Sequence, residues 1–262
     1  MNESLKQILS APGTMAGTLR FLISFGAMLV AWHLLTSTIV TNRLLLVPPA
    51  EVLHALVRET LSGTMWTNAK ATIAAVAAAF PVAVVIGVGI GLALASNRLL
   101  SLMGGPMLAA LYSVPIVALA PLFIAWLGLG FASKFIIVLM VSFFPIVVTT
   151  EAGLRATDKN LIETAKSFNA SGWQIFSTVT FPYALPFIVS GIRVAWARAL
   201  VGIVVAEFFG SFAGFGYAVM AAGQTFDTAT LLAYVVVLGT MGLIGSVALQ
   251  YTEVKLAPWR HA

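Results

Sequence analysis

The chain has 262 residues, of which 60% are hydrophobic and only 9% are charged. An ordinary soluble domain has about 25% charged residues, so this composition excludes a conventional soluble protein. The formal charge of +5 comes from single, scattered Lys and Arg residues, which does not fit a nucleic-acid-binding arm. The chain contains no cysteine, and therefore no disulfide, thiolate metal site or cysteine nucleophile.

Apolar stretches long enough to cross a bilayer recur along the chain. About 20 helical residues span a hydrocarbon core of about 30 Å. Five charge-poor stretches meet this length and predict membrane-spanning helices over residues 21–40, 70–95, 107–127, 134–152 and 229–250. Breaks between spans are predicted at Asn97-Arg98, Gly104-Gly105-Pro106 and Gly128-Leu129-Gly130.

A sixth span is predicted over residues 186–209, although this stretch contains three charged residues. An odd number of spans would place the basic loop 153–185 and the basic tail on opposite sides of the membrane. With six spans and both termini in the cytoplasm, the inner segments carry eight Lys and Arg residues and the outer segments four. The positive-inside rule then predicts a cytoplasmic N-terminal segment over residues 1–20 and one transmembrane domain over 21–262, with the loop 153–185 in the cytoplasm.

Two short elements are predicted on the outer side of the membrane. Apolar residues on one helical face indicate a short amphipathic helix over residues 51–60, lying on the outer surface. Residues 214–226 form either a second element of this kind or a loop. Within the spans, Pro115, Pro121 and Pro145 predict kinks, because each lacks a backbone donor. The first two prolines are close enough to predict a bent segment that could act as a hinge or gate.

The loop 153–185 is predicted to form two short helices. Asp158 or Asn160 can cap the first helix, and Asn169 can close it because asparagine tolerates the left-handed conformation. Ser171 and Gln174 have the spacing of a capping box at the start of the second helix. Further along, Pro182 is predicted to end the second helix, and Pro186 to lie in the first turn of the following span. Such a structured pair of helices is typical of a docking element for a cytoplasmic partner.

The charged residues of the sixth span are Arg193, Arg198 and Glu207. A charge inside a bilayer is costly, so these side chains are expected in the bundle interior or along an aqueous path. Arg193 could instead reach the cytoplasmic surface with its long side chain. Arg198 and Glu207 are separated by about 13 Å along one helix, too far to pair. Each therefore needs a partner on another helix, on a second copy or in a polar cavity, and an arginine facing a translocation path would suit an anionic solute.

The loop carries a signature that resembles the membrane permeases of ATP-binding-cassette importers. In that family the loop has Glu-Ala-Ala, three residues, a glycine and a later apolar-proline ending. Here Glu163-Thr164-Ala165 stands at the triplet, Asn169 at the glycine and Phe181-Pro182 at the ending. Thr164 and Asn169 depart from the pattern, but the first is small and the second can adopt the left-handed conformation of the glycine.

Other segments narrow the resemblance to the nitrate, sulfonate and taurine branch, over roughly residues 45–250. The similar segments are Val114 to Phe123, Trp126 to Gly130, Phe144-Pro145, Gly191 to Arg193, Ala206-Glu207 and Gly214 to Tyr217. The resemblance implies an all-α fold of six transmembrane helices, of the type I importer kind, in the cell inner membrane. It also implies a homodimer with two ATPase subunits below it and a solute-binding protein outside.

The resemblance places ATPase coupling on the first helix of the loop, at Glu163, Thr164, Ala165, Phe168 and Asn169. Glu163 can alternatively be an acidic residue that the helix dipole favours. The implied function is the translocation path for a small anionic solute such as a sulfonate, taurine or nitrate. No cofactor is implied.

The sequence lacks the Gly-x-x-x-x-Gly-Lys-Ser/Thr motif of a P-loop, so the energy source must be another polypeptide. The three histidines are too scattered along the chain to suggest a metal site or a catalytic triad, and no enzymatic activity is predicted. One alternative is a self-sufficient secondary transporter or channel, in which the intramembrane charges relay ions. A membrane assembly protein without transport activity is the other.

Overall fold

The computed structural model describes residues 15–40 and 42–256, which form helices and connecting loops without any strand. The helices are α1 (Met15–Thr38), α2 (Pro49–Leu61), α3 (Thr64–Ser96), α4 (Arg98–Tyr112), α5 (Ala120–Leu127), α6 (Phe131–Arg155), α7 (Lys159–Ser167), α8 (Gly172–Ile175), α9 (Phe181–Gly210), α10 (Phe215–Gln224) and α11 (Thr228–Leu256). A 3-10 turn, Ile116–Leu119, precedes α5, and a π turn, Phe176–Thr180, joins α8 to α9.

The described helices confirm the prediction of an all-α protein with six spans. Five continuous helical stretches in the described residues are long and apolar enough to cross a membrane. They contain, in chain order, α1, α3, α6, α9 and α11. The sixth span is broken: α4 and the segment containing α5 meet at an angle of 70°. The span that contains α9 runs without interruption from Gly172 to Gly210.

Contacts between helices establish their directions. Gly91 of α3 lies beside Thr150 of α6, and Arg155 at the end of α6 reaches the carbonyl of Leu94, so these two helices run parallel. Helix α9 runs antiparallel to α6, because Gly153 lies beside Phe187 near one end of the pair and Gly202 beside Val141 further along. We call the end of the bundle that holds residues 156–180 the loop end. The other end, with residues 42–63, 128–130 and 211–227, is the far end.

Small residues let the central helices α3, α6 and α9 pack closely. Ala75, Ala79 and Ala83 of α3 lie in one buried cluster with Val138, Ala199 and Ile203. At Gly91, an added Cβ would lie 2.6 Å from the Cβ of Thr150, so no larger residue fits without a shift. Close backbone approach of this kind is typical of helix packing in membranes.

The bend of the broken span lies at a different place from the predicted break. Gly104-Gly105-Pro106 is inside α4, so the break predicted there is wrong. The Asn97 side chain accepts the N–H groups of Leu99 and Leu100 and starts α4 at Arg98, upstream of the glycines. The chain leaves helical geometry at Ser113–Pro115, since the residue before a proline disfavours the helical conformation.

The other prolines differ in their effects. Pro121 lies in the first turn of α5, where a missing N–H leaves no helical hydrogen bond unmade. Pro145 lies inside α6. Pro182 was predicted to end a helix and Pro186 to start one, and both predictions are wrong. The chain passes both prolines as one helix, because the wide π turn, closed by the Phe181 N–H on the Phe176 carbonyl, precedes Pro182.

The remaining elements follow the sequence more closely. Helix α1 begins at Met15, inside the segment 1–20 that was predicted to precede the first span, and residues 1–14 and 257–262 lie outside the described residues. Helix α2 confirms the predicted short helix over residues 51–60, and α10 shows that residues 214–226 contain a helix rather than only a loop. Helix α2 buries Val52 and Ala55 against Ala233 of α11.

Candidate functional site

The two-helix loop at the loop end is closed by local hydrogen bonds. Of the two predicted caps, Asp158 caps α7, because its carboxylate accepts the Asn160 N–H at 2.9 Å. Asn169 adopts the predicted left-handed conformation, with φ of 55°. The Ala170 N–H then reaches back to the Ala165 carbonyl, which is the hydrogen bond of a Schellman motif.

The second loop helix begins with the predicted capping box. The Gln174 N–H donates to the Ser171 hydroxyl, and the Ser171 N–H donates to the Gln174 side chain at 2.7 Å. The following Phe176 and Phe181 pack on a buried cluster that contains Leu154 and Ile188. The loop is therefore ordered by its own caps and attached to the ends of α6 and α9.

The outer surface of this loop exposes large apolar side chains. Phe168 is 83% exposed and Trp173 is 73% exposed. Glu163 and Thr164 are exposed on the same loop, and Ala165 is half-buried. Apolar side chains that remain exposed on an ordered element are typical of an interaction surface. The five residues predicted for ATPase coupling all lie on this loop.

A cleft of about 800 Å³ lies between the bent span and helices α6 and α9. Tyr112 and Pro115 line it at the bend, Phe144 lines it from α6, and Arg198 lines it from α9. The Tyr112 and Phe144 rings stack with centroids 5.8 Å apart. The structure thus brings together two of the residues predicted to serve translocation, Arg198 and Pro115, while Pro121 and Pro145 do not line this cleft.

Arg198 is exposed, and its guanidinium makes no ion pair or hydrogen bond within residues 15–40 and 42–256. It stands near the middle of α9, where an isolated charge in hydrocarbon costs at least about 2.5 to 3.5 kcal/mol. An aqueous cleft or a ligand removes this cost. Arg193, nearer the loop end, has a partner, since its Nη1 lies 3.7 Å from Oε2 of Glu253.

Glu207 does not line the cleft. It is fully buried in a second polar region, which we call the closed cluster: Asn68, Thr72, Lys134, Glu207 and Tyr234. The Thr72 hydroxyl donates to Oε1 of Glu207 at 2.9 Å, and Nζ of Lys134 lies 3.4 Å from the same oxygen. Lys134 also donates to the Ala213 carbonyl at 3.0 Å. The predicted need of Glu207 for a partner on another helix is therefore met within this chain.

The closed cluster holds the start of α10. The Gly214 N–H donates to the Asn68 side chain at 2.9 Å, the Phe215 N–H to Thr72 at 2.8 Å and the Gly216 N–H to Glu207 at 2.8 Å. Side chains from α3 and α9 thus bind three successive N–H groups at a helix start, and the negative charge suits that end of the helix dipole. Gly214 has a φ of 133°, and an added Cβ would lie 2.1 Å from Oε1 of Glu207.

Hydrogen bonds extend from the closed cluster to the far-end surface. Asn68 donates to the Tyr234 hydroxyl, which donates to Oε2 of Glu59, both at 3.0 Å. Beside them, Nη2 of Arg58 lies 3.1 Å from Oδ2 of Asp227. Partial burial alone would raise the pKa of Asp227, but hydrogen bonds from Thr230 and Arg58 outweigh it and lower the pKa below its usual value of 3.8.

The closed cluster contains residues that the sequence analysis missed. Lys134 was counted as an outer-loop charge, but it is buried in the first turn of α6, so the outer segments carry one basic residue fewer. Asn68 and Thr72 lie four residues apart in the first half of α3, which also contains Thr67 and Lys70. This spacing places two polar side chains on one face of α3 and could have indicated a buried polar contact.

The chain matches the protein family described as binding-protein-dependent transport system inner membrane component, over residues 83–257. It is 30% identical over 246 residues to the aliphatic sulfonates transport permease protein SsuC of Bacillus subtilis, covering 94% of this chain and 89% of that protein. It is 39% identical over 183 residues to the riboflavin transport system permease protein RibX of Chloroflexus aurantiacus, with coverage of 70% and 67%. Identity to the taurine transport system permease protein TauC of Escherichia coli is 26% over 243 residues, with coverage of 90% and 88%.

The fold is similar to that of a solved structure of the MetNI methionine ABC transporter in an inward-facing conformation. The TM-score is 0.62 at 18% sequence identity, and the alignment covers 75% of this chain and 95% of the other. At this identity the likeness concerns the fold alone, and it confirms the predicted type I importer permease fold.

Proposed function

Since the chain belongs to the family of binding-protein-dependent transport system inner membrane components, we propose that it forms the translocation path of its importer as a homodimer. The chain is the membrane-spanning permease subunit of an ATP-binding-cassette importer, which works with an ATPase and an external solute-binding protein. We propose two ATPase subunits per dimer, with both chain termini and the loop end in the cytoplasm. The far end, with α2 and α10, then faces the binding protein.

The observation that carries this proposal is the ordered loop with its exposed aromatic surface. Phe168 follows α7, which is capped at both ends, and Trp173 projects from α8, which begins with a capping box and continues into α9. A groove on the ATPase that covers Glu163 to Asn169 would bury Phe168, and Trp173 lies beside this stretch. Because the loop is continuous with the span Gly172–Gly210, motion of the ATPase can pass to Arg198 as a rigid-body displacement.

We propose that the cleft at the bend is the path for the solute and that Arg198 favours an anion such as a sulfonate. The relatives SsuC and TauC, named for aliphatic sulfonates and taurine, support this class. The relative RibX supports a riboflavin-like solute as a second candidate. Pro115 sits at the bend beside the cleft and is the proposed hinge of the gate. Arg193 and Glu207 fall outside this cleft.

The coupling proposal is tested by Glu163→Lys in the assembled transporter. We expect the ATPase to be lost on purification, or ATP hydrolysis to continue without uptake. The matched control is Glu51→Lys, which reverses a partly exposed carboxylate paired with Arg43 at the far end. Equal loss of the ATPase in both variants, or a Glu163→Lys transporter that keeps the ATPase and still couples hydrolysis to uptake, would contradict the proposed docking surface.

The orientation is tested by labelling in this cysteine-free chain. A cysteine at Lys159, which is exposed on the loop outside the proposed docking stretch, should react with an impermeant reagent only after the membrane is opened. A cysteine at Ser62, exposed at the far end, should react in intact cells. The reverse pattern would place the loop outside and remove the proposed contact with the ATPase.

A further inference from the structure

A second polar groove, of about 510 Å³, lies between α9 and α11. Arg193, Arg198, Ser246 and Gln250 line it, among apolar residues. Two arginines with a hydroxyl and an amide are donor groups that suit an oxyanion. None of the described residues that line the groove carries a carboxylate, although Glu253 lies beside Arg193.

The groove is joined to the central cleft. Ala197 and Arg198 line both, so Arg198 stands where the two meet. Arg193 is about 7.5 Å closer to the loop end along α9. On the antiparallel helix α11, Gln250 lies nearer the loop end than Ser246. The polar groups therefore run from the middle of the bundle toward the loop end.

Most of these polar groups are free to bind. Within the described residues, the side chains of Arg198, Ser246 and Gln250 make no hydrogen bond or ion pair. Among the described residues, Arg193 pairs with Glu253 alone, at 3.7 Å, which is longer than a charge-assisted hydrogen bond of about 2.8 Å. An anion in the groove could therefore compete with Glu253 for Arg193.

We propose that this groove is a second oxyanion site, through which the anionic solute passes from the central cleft to the loop end. Arg198 and Arg193 bind the anionic group in turn, while Ser246 and Gln250 donate hydrogen bonds to it. This inference rests on the proposed function. A phospholipid phosphate has the same chemistry, but it lies at the surface of the hydrocarbon core, about 15 Å from the middle. Arg198 stands near the middle of its helix, so the solute fits the whole groove better than a lipid.

The test uses Ser246→Cys in the complete transporter, reconstituted in vesicles of zwitterionic lipid. The probes are an anionic sulfonatoethyl and a cationic trimethylammonioethyl methanethiosulfonate, each rate being normalised to a cysteine at the exposed Ser62. We expect the anionic probe to react about tenfold faster, because two arginines attract it. Arg193→Gln, outside the central cleft, should remove much of this preference. Ile244→Cys, which is exposed on α11 but does not line the groove, is the matched control and should show no preference.

Protection by small molecules completes the test. Excess methanesulfonate should slow the labelling of Cys at position 246, whereas the neutral dimethyl sulfone should not. Failure of both probes to react, or equal rates, would overturn the proposal. Protection by anionic lipid without protection by methanesulfonate would assign the groove to a phospholipid phosphate and overturn it as well. Since labelling needs no ATP or binding protein, its failure is distinguishable from failure of the proposed transport function.

Discussion

Two of the charged residues of α9, the buried Glu207 and the exposed Arg198, have opposite surroundings. Glu207 accepts hydrogen bonds from Thr72 and the Gly216 N–H and faces Lys134, so all its partners lie within this chain. Arg198, nine residues earlier, has no such partner in the described part and opens on a cleft and a groove. A charge whose interactions are satisfied within the fold stabilises the structure. A charge left open at a cavity is available to a ligand, and the predictions below test this distinction.

The largest effect is expected when the closed cluster loses its carboxylate. Glu207→Leu leaves Lys134 buried without a counter-charge, which costs about 3 to 5 kcal/mol. We expect little folded protein and a clearly lower melting temperature in detergent. The double variant Glu207→Leu with Lys134→Met should recover much of the loss, because no buried charge remains. Glu51→Gln at a surface pair is the control and should be nearly neutral.

Gly214→Ala should have the next largest effect. The residue has a φ of 133°, and its new Cβ would lie 2.1 Å from the Glu207 carboxylate. Backbone strain alone costs about 1 to 3 kcal/mol, to which displacement of the carboxylate adds. The melting temperature should fall, whereas Gly89→Ala, with no atom within 4 Å of the added Cβ, should leave it unchanged. Equal melting temperatures for the two variants would mean that the cluster tolerates displacement.

Arg198→Gln should change transport rather than folding. Without the positive charge, we expect uptake of a sulfonate to fall about tenfold, which corresponds to about 1.4 kcal/mol. Arg198→Lys retains the charge and should keep most of the uptake. The melting temperature should not change, since no partner within the described residues is lost. Unchanged uptake would remove Arg198 from the path and favour the riboflavin-like solute.

The smallest effect is expected at the rim of the closed cluster. Asp227→Asn removes the contact with Arg58, which is worth about 0.2 to 1 kcal/mol because the pair is partly exposed. The pKa of Asp227 is lowered by folding, so its contribution is present above pH 3.8 and is lost as the pH falls through the lowered pKa. Melting temperatures at pH 7 and 5 should therefore show the same difference between wild type and variant. A difference that disappears at pH 5 would contradict the direction of the shift.

Much of this fold could be predicted because apolar run length decides membrane spans almost alone. The caps at Asp158, Ser171 and Asn169 could be predicted as well, because each depends only on residues that are close to it in sequence. The course of the chain at Pro182 could not be predicted in this way. A π turn that absorbs a missing donor is one of several local solutions, and packing of Phe176 and Phe181 at the loop end accompanies it.

The charged sites were predictable only in part. Distance along one helix showed that Arg198 and Glu207 do not pair with each other. It could not show which of them has a partner, because Lys134 comes from a helix 73 positions away in sequence. From hydropathy alone, Lys134 was expected in a loop on the outer side of the membrane. Its position beside Glu207 follows only from the way in which the helices pack. The start of α4 likewise depends on the Asn97 cap, and the bend follows at Ser113–Pro115, downstream of the predicted break.

If the ATPase docks on the loop as proposed, the uninterrupted helix Gly172–Gly210 would act as a lever with Trp173 near its tip. Suppose that it tilts by about 5° around the anchored Glu207. Trp173 lies about 51 Å from this pivot and Arg198 about 13 Å, at about 1.5 Å per residue. The aromatic tip then sweeps about 4 Å while the arginine moves about 1 Å. A large displacement at the loop end would therefore produce a small displacement at the cleft. The force at the cleft would be correspondingly larger than the force at the loop end.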